Sequence, residues 1–177
     1  MNLKKKIKKT MLKTKDKRAF IFYIIASVML WQLGVTVRNL CIDSFAQIST
    51  ANSAVMSFIY AKNTGGAFSL FEGHPYLLAL FALAVLGALI IYVYKKVTFE
   101  DKYKILALVF FSSGILGNLY ERFTLGYVID YIKLNFVNFA VFNMFDVMIC
   151  TSVFIFIFII LYEDLLRARV KNGKNKH

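Results

Sequence analysis

Four apolar runs, each near the length a helix needs to cross a bilayer, constrain this chain more than any other feature. They are residues 19–37 (AFIFYIIASVMLWQLGVTV), 75–94 (PYLLALFALAVLGALIIYVY), 105–120 (ILALVFFSSGILGNLY) and 142–162 (FNMFDVMICTSVFIFIFIILY). A helix spans the hydrocarbon core in about 20 residues, so the third run is marginal alone and borrows from its flanks. The chain is 59% apolar, well above the roughly 45–50% of soluble domains. Its 177 residues suit one domain, and that domain is an integral membrane protein.

Charge orients the runs. A net charge of +12 invites a nucleic-acid reading, but nine Lys/Arg lie in residues 1–18, four in 95–104 and five in 167–176. Only Arg38, Lys62, Arg122 and Lys133 fall elsewhere. Basic clusters at alternate loops are what the positive-inside bias produces, which excludes nucleic acid and puts both termini in the cytoplasm. The clusters also suit anionic membrane lipids on that face. The expected organisation is a basic cytoplasmic tail at 1–18, a four-span domain at 19–162 and a second basic cytoplasmic tail at 163–177. The spans fall at about 19–40, 75–94, 103–121 and 142–162. The first run is long for a signal-peptide core and no small-residue cleavage site follows it, so it reads as an uncleaved span. Leu40 before Cys41 does not fit a lipoprotein cleavage site, and Cys41 and Cys150 sit in contexts too different to expect a disulfide.

Residues 95–102 then form a tight inner loop, while 41–74 and 121–141 lie outside. Small, apolar and β-favouring residues alternate in 47–71, which predicts short strands or an interfacial shelf with a turn at Gly65-Gly66. The fold class is an all-α membrane protein: a four-transmembrane-helix bundle with a small extracytoplasmic β-rich cap.

Polar residues in the outer half need a reason to be there, since an ionisable group at a span centre costs ~2.5–3.5 kcal/mol on insertion scales. Asp146 lies near the outer start of the fourth span, with Asn143 three residues earlier on the same helical face. Asn118 and Arg122 share a face at the outer end of the third span. Both polar faces therefore meet at one depth. Asp130, in the segment bridging these spans, can fold back towards Asp146. Two carboxylates held close cannot both ionise cheaply and share a proton. Such a pair can activate water with one carboxylate and protonate a leaving amine with the other. The structural alternative is an Arg122–aspartate ion pair tying the helix ends, with Asn143 as a helix cap.

Other chemistries find fewer residues. The histidines are His74 and His177, without the paired motif of a zinc hydrolase. A serine–lysine dyad has only Lys62 and Ser69 on the outer side, and FSSG at 111–114 is not a nucleophile elbow. Ser112, Ser113, Gly114 and Gly117 point to close helix packing. A proton-coupled transporter would need its polar groups to cross the bilayer rather than cluster at one face.

In order and spacing, three blocks resemble the lipoprotein signal peptidases (signal peptidase II), which are membrane aspartyl proteases. KNTGGAFSLF (62–71) is similar to the family's Asn-x-Gly-Ala-Ala-Phe-Ser block. GNLYERFTLGYVIDYI (117–132) is similar to its Gly-Asn-x-x-Asp-Arg block, and FNMFD (142–146) to Phe-Asn-x-Ala-Asp. The resemblance covers roughly residues 19–162. It implies a bacterial cell (inner) membrane enzyme, its active site near the outer face, that removes signal peptides from diacylglyceryl-modified prolipoproteins. It also implies catalytic roles for Asp130 and Asp146, and supporting or substrate-contact roles for Asn63, Gly65, Asn118, Arg122 and Asn143. No metal or organic cofactor is expected, whereas inhibition by a globomycin-type cyclic peptide is.

The chain also departs from the family pattern. Trp31-Gln32-Leu33-Gly34-Val35 stands where the family has Asp-Gln-x-x-Lys, so two supporting charges are missing. Glu121 replaces an Asp, Tyr131 a Phe and Gly66 an Ala. Phe145 replaces an Ala beside Asp146, which is expected to add bulk near the pair. These departures motivate an alternative, a non-catalytic member that binds lipidated peptides.

Overall fold

The computed structural model describes residues 16–45, 54–66 and 70–174. The lysine run at 1–15, part of the expected shelf at 47–53, Ser69 and His177 lie outside the described residues. In chain order come α1 (Lys17–Phe45), β1 (Met56–Asn63), α2 (Pro75–Lys96), α3 (Lys102–Leu125), β2 (Val128–Leu134) and α4 (Met144–Lys174). All four helices are long and apolar enough to cross a membrane, over Lys17–Asp43, Pro75–Lys96, Phe99–Leu125 and Met144–Ala168. α4 continues to Lys174, through residues read from the sequence as tail.

Local chemistry sets the helix ends. Pro75 occupies the first turn of α2, where its missing N–H costs nothing. Asp16 Oδ1 accepts the N–H groups of Arg18 at 3.1 Å and Ala19 at 3.2 Å, capping α1. Its Oδ2 accepts Phe99 N–H at 3.1 Å, which brings the start of α1 to the loop between α2 and α3. That loop is closed by a capping box between Thr98 and Asp101. At the opposite end of α3, Gly126 takes φ +78 and donates its N–H to Arg122 O at 3.1 Å. A left-handed residue there turns the chain out of the helix and into β2, a conformation glycine adopts without strain.

α3 is the inner helix of the bundle. Its span is 56% buried, against 17% for each of the other three, so α1, α2 and α4 surround it and face outward themselves. Large apolar side chains such as Leu80, Phe81, Phe154 and Phe158 are exposed accordingly, a lipid-facing surface. The small residues of α3 permit close approach. Ser113 Oγ donates to Val109 O at 2.7 Å and to Ser27 O at 2.9 Å, and the Tyr23 and Ser112 hydroxyls bond each other. These contacts bind α1 to α3 above a cluster of Ala19, Tyr23, Val93, Val97, Ile105, Leu108 and Val109.

β1 and β2 form a two-stranded antiparallel sheet. The register pairs Ala61 with Asp130 and Asn63 with Val128, with an irregularity between Phe58 and Ala61. The strand expected from the 47–71 pattern thus finds its partner not in a local hairpin but in the segment after α3. Phe142 forms a bridge with Ile132: Ile132 N donates to Phe142 O at 2.8 Å, and Phe142 N to Ile132 O at 3.0 Å. This bridge fixes the start of α4 against β2, which decides where Asn143 lies relative to Asp130.

Candidate active site

Asp130 sits in β2, 3% exposed, and Asp146 in the first turn of α4, half-buried. Asn143 joins them. Its Nδ2 donates to Asp130 Oδ1 at 2.8 Å, and its main-chain N–H donates to Asp146 Oδ2 at 3.0 Å. Its Oδ1 accepts the N–H groups of Phe145 at 2.8 Å and Asp146 at 3.1 Å. Asn143 and Asp146 therefore form a reciprocal cap of the capping-box kind, with Asp146 at the third helical position. The cap expected as the structural alternative exists, and the same side chain also serves the carboxylates. An amide can do both because it carries an acceptor and two donor hydrogens.

The remaining partners converge on the same place. Asn63 Nδ2 donates to Asp130 Oδ2 at 2.9 Å, so both oxygens of that carboxyl accept from an amide. Asn118 Nδ2 donates to Asp146 Oδ1 at 2.8 Å, and its Oδ1 accepts from Asn143 Nδ2 at 3.2 Å. Arg122 does not close on a carboxylate as the ion-pair reading expected: Nη2 donates to Gly65 O at 2.7 Å and Nη1 to Asn118 O at 3.4 Å. Gly65 N in turn donates to Asn63 Oδ1 at 3.0 Å. Arg122 thus holds the bend after β1, and that bend holds the amide that faces Asp130. All seven candidate residues, Asn63, Gly65, Asn118, Arg122, Asp130, Asn143 and Asp146, belong to one hydrogen-bonded cluster.

Burial pushes the Asp130 carboxyl up from an ordinary 3.8 to about 6. The Asn63 hydrogen bond opposes that rise and the nearby Asp146 charge adds to it, with Asn143 and Arg122 opposing more weakly. Asp130 therefore keeps a proton in a pH range where an exposed carboxyl has lost it. The cluster can hold a proton on one carboxyl of the pair.

Two departures acquire a structural reason. Phe145 points away from the carboxylates: its ring is buried against Gly34 and Gly117, and its main chain against Gly114. A Cβ on Gly117 would lie 2.3 Å from the ring, one on Gly34 2.5 Å from it, and one on Gly114 2.5 Å from Phe145 O. Bulk added beside Asp146 is absorbed by space on α1 and α3, and the expectation of crowding is corrected. One turn beyond Val35, α1 carries a cation, Arg38. Arg38 Nε stands 2.8 Å from Glu121 Oε1, and Glu121 Oε2 accepts the N–H of Ile129 at 2.7 Å. Arg38 and Glu121 escaped the sequence reading as a pair. The signal was present, since each is a costly charge near the outer end of an apolar run. Trp31 packs its ring edge-on against Tyr120, centroids 5.7 Å apart.

The comparisons agree with this geometry. The sequence model of the family described as Signal peptidase (SPase) II matches residues 23–162. The chain belongs to the signal peptidase II family. It is 32% identical to a lipoprotein signal peptidase of Enterococcus faecalis over 167 residues, 89% of this chain and 99% of that one. A lipoprotein signal peptidase of Streptococcus thermophilus is 33% identical over 121 residues, 68% of this chain and 78% of that protein. Among solved structures, a bacterial membrane enzyme determined in meso superposes with a TM-score of 0.68 at 19% identity, covering 80% of this chain and 88% of that one. That likeness bears on the fold: four membrane helices with a small sheet. With four apolar helices and this family, the signal peptidase II homologue described here is a multi-pass membrane protein and a protease.

Proposed function

We propose that this chain removes signal peptides from diacylglyceryl-modified prolipoproteins by aspartyl catalysis, with Asp130 and Asp146 as the water-activating pair. The observation that carries the reading is the joint hold on the two carboxyls: Asn143 bonds both, while Asn63 and Asn118 each bond one. A purely structural network would pair the buried acids with the nearby guanidinium. Here Arg122 bonds main-chain carbonyls instead, and the acids are left with neutral donors.

In the reaction, the ionised carboxyl of the pair takes a proton from water as its oxygen attacks the scissile carbonyl carbon. The protonated carboxyl gives its proton to the carbonyl oxygen. On collapse of the tetrahedral intermediate the C–N bond breaks, and the leaving nitrogen takes the proton that came from water. The former carbonyl oxygen returns its proton to the pair, so one water is consumed per peptide bond and the pair is restored. The amide donors position both carboxyls without adding charge, so either can gain or lose the shared proton.

The site faces the outer side of the membrane with both termini in the cytoplasm. Supporting this, the carboxyls and the sheet gather where α1 and α3 end and α4 begins, whereas the lysine-rich loop meets the start of α1. Membrane lipids surround the exposed apolar helix faces, and a globomycin-type cyclic peptide would occupy the substrate site. The decisive assay is a gel-shift cleavage of a diacylglyceryl-modified prolipoprotein by Asp130→Asn and Asp146→Asn. Each variant should accumulate in the membrane and lose cleavage; full cleavage by either one refutes the pair.

A further inference from the structure

The Arg38–Glu121 pair lies outside the amide network yet touches the strand that carries Asp130. Glu121 is 2% exposed and Arg38 17%, so the pair is largely removed from water. Within it the Glu121 carboxylate is divided between two tasks. Oε1 meets Arg38 Nε at 2.8 Å, and Oε2 accepts Ile129 N–H at 2.7 Å. Ile129 immediately precedes Asp130 and pairs with Lys62 in the sheet. A buried carboxylate without its cation is strongly disfavoured, so the acceptor that fixes Ile129 depends on a charge from a different helix. Arg38 also donates through Nη1 to Asn39 Oδ1 at 3.1 Å, which fixes the guanidinium on the α1 side.

We propose that Arg38 is a positioning residue for catalysis: it holds Glu121 in the orientation that anchors the Ile129 N–H and thereby sets Asp130 against Asn63 and Asn143. The inference rests on the aspartyl reading above and deepens it. α1 thereby contributes to the reaction without a residue at the carboxyl pair. The cation also sits one turn beyond Val35, so a charge on this helix can support the site from a different position.

The test uses full-length protein in proteoliposomes with a diacylglyceryl-modified prolipoprotein, comparing wild type, Arg38→Met, Arg38→Lys and Asp130→Asn. Arg38→Met should lower kcat at least tenfold with KM within twofold, because Arg38 acts on Asp130 only through Glu121 and Ile129. Arg38→Lys restores the charge without the guanidinium geometry and should lower kcat only two- to fivefold. Amide hydrogen exchange should show faster exchange at Ile129 in both Arg38 variants. An unchanged kcat in folded Arg38→Met, or a change confined to KM, overturns the proposal. If Arg38→Met does not accumulate, Arg38→Lys decides: wild-type kcat together with wild-type exchange at Ile129 overturns it. Full cleavage by Asp130→Asn would instead refute the aspartyl reading, so the two failures are distinguishable.

Discussion

Gly117→Ala should disable this protein through a single methyl group, and its cost should fail to add to that of Phe145→Ala. The added Cβ would lie 2.3 Å from Cγ and Cδ1 of Phe145, whereas carbon contacts settle at about 3.5–4.0 Å. More than an ångström of separation must be found. The ring is held tightly on that edge, because a Cβ position on Gly34 also lies 2.5 Å from its Cε1 and the Phe145 carbonyl abuts Gly114. α4 must therefore shift against α3, for an overpacking cost of about 1–3 kcal/mol. Better helix propensity at an alanine offsets at most about 1 kcal/mol of this. The shift begins one residue from Asp146, whose 2.8 Å bond to Asn118 spans the same interface. A misplacement of about 1 Å can cost 10²-fold in rate, so kcat should fall by that order. Phe145→Ala alone should cost about 3–5 kcal/mol by leaving a cavity. In the double variant the methyl added by Gly117→Ala occupies space the ring vacated, and the coupling should favour it by at least about 1 kcal/mol. Thermal unfolding in detergent and single-turnover cleavage supply the two readouts. Additivity within about 0.5 kcal/mol, or wild-type kcat in Gly117→Ala, would refute this packing.

Asn143→Ala removes the cap of α4 and a donor to Asp130 together, so cleavage should drop more than 100-fold; a drop under tenfold in the gel-shift assay contradicts the bridging role. The pH profile tests the shared proton. With Asp130 at about 6, rising pH strips the proton that the pair needs, and kcat/KM should fall on a basic limb near pH 6. Asn63→Ala removes a hydrogen bond that favours the carboxylate, so that limb should move to higher pH; a shift to lower pH contradicts the assignment. The same raised value predicts that stability contributed by Asp130 is complete below 3.8 and lost as pH rises through about 6, because the folded protein holds the proton more tightly. Asp130→Asn should flatten that slope in chemical denaturation. Gly126→Ala should cost about 1 kcal/mol, since φ +78 is unfavourable for a residue with a Cβ while the nearest atom, Tyr76 Oη, is 3.6 Å away. A melting temperature equal to wild type would show that the left-handed cap does not hold β2.

The sequence by itself determined the four apolar helices found among the described residues and the polar faces that meet at their ends. Hydropathy and lysine placement act through a bilayer of fixed thickness, and a period of 3.6 residues puts Asn118 with Arg122 and Asn143 with Asp146. Local chemistry also marked Asn143 as a cap and the small residues of α3 as a packing surface. The tertiary structure decided the rest. β1 pairs with β2 across a long stretch of chain, and neither strand's composition names its partner, since an antiparallel register is fixed by everything that brings the strands together. Arg122 turned to the neutral Gly65 carbonyl rather than to an aspartate, a choice that charge alone does not make and geometry does. Phe145 read as an obstacle because its direction is set by the rotation of α4, and three glycines on two other helices receive it. Arg38 and Glu121 were each visible as costly charges, but their separation in the chain hid that each answers the other. Physical cost located the candidate site along the chain; packing decided which partner met each charge.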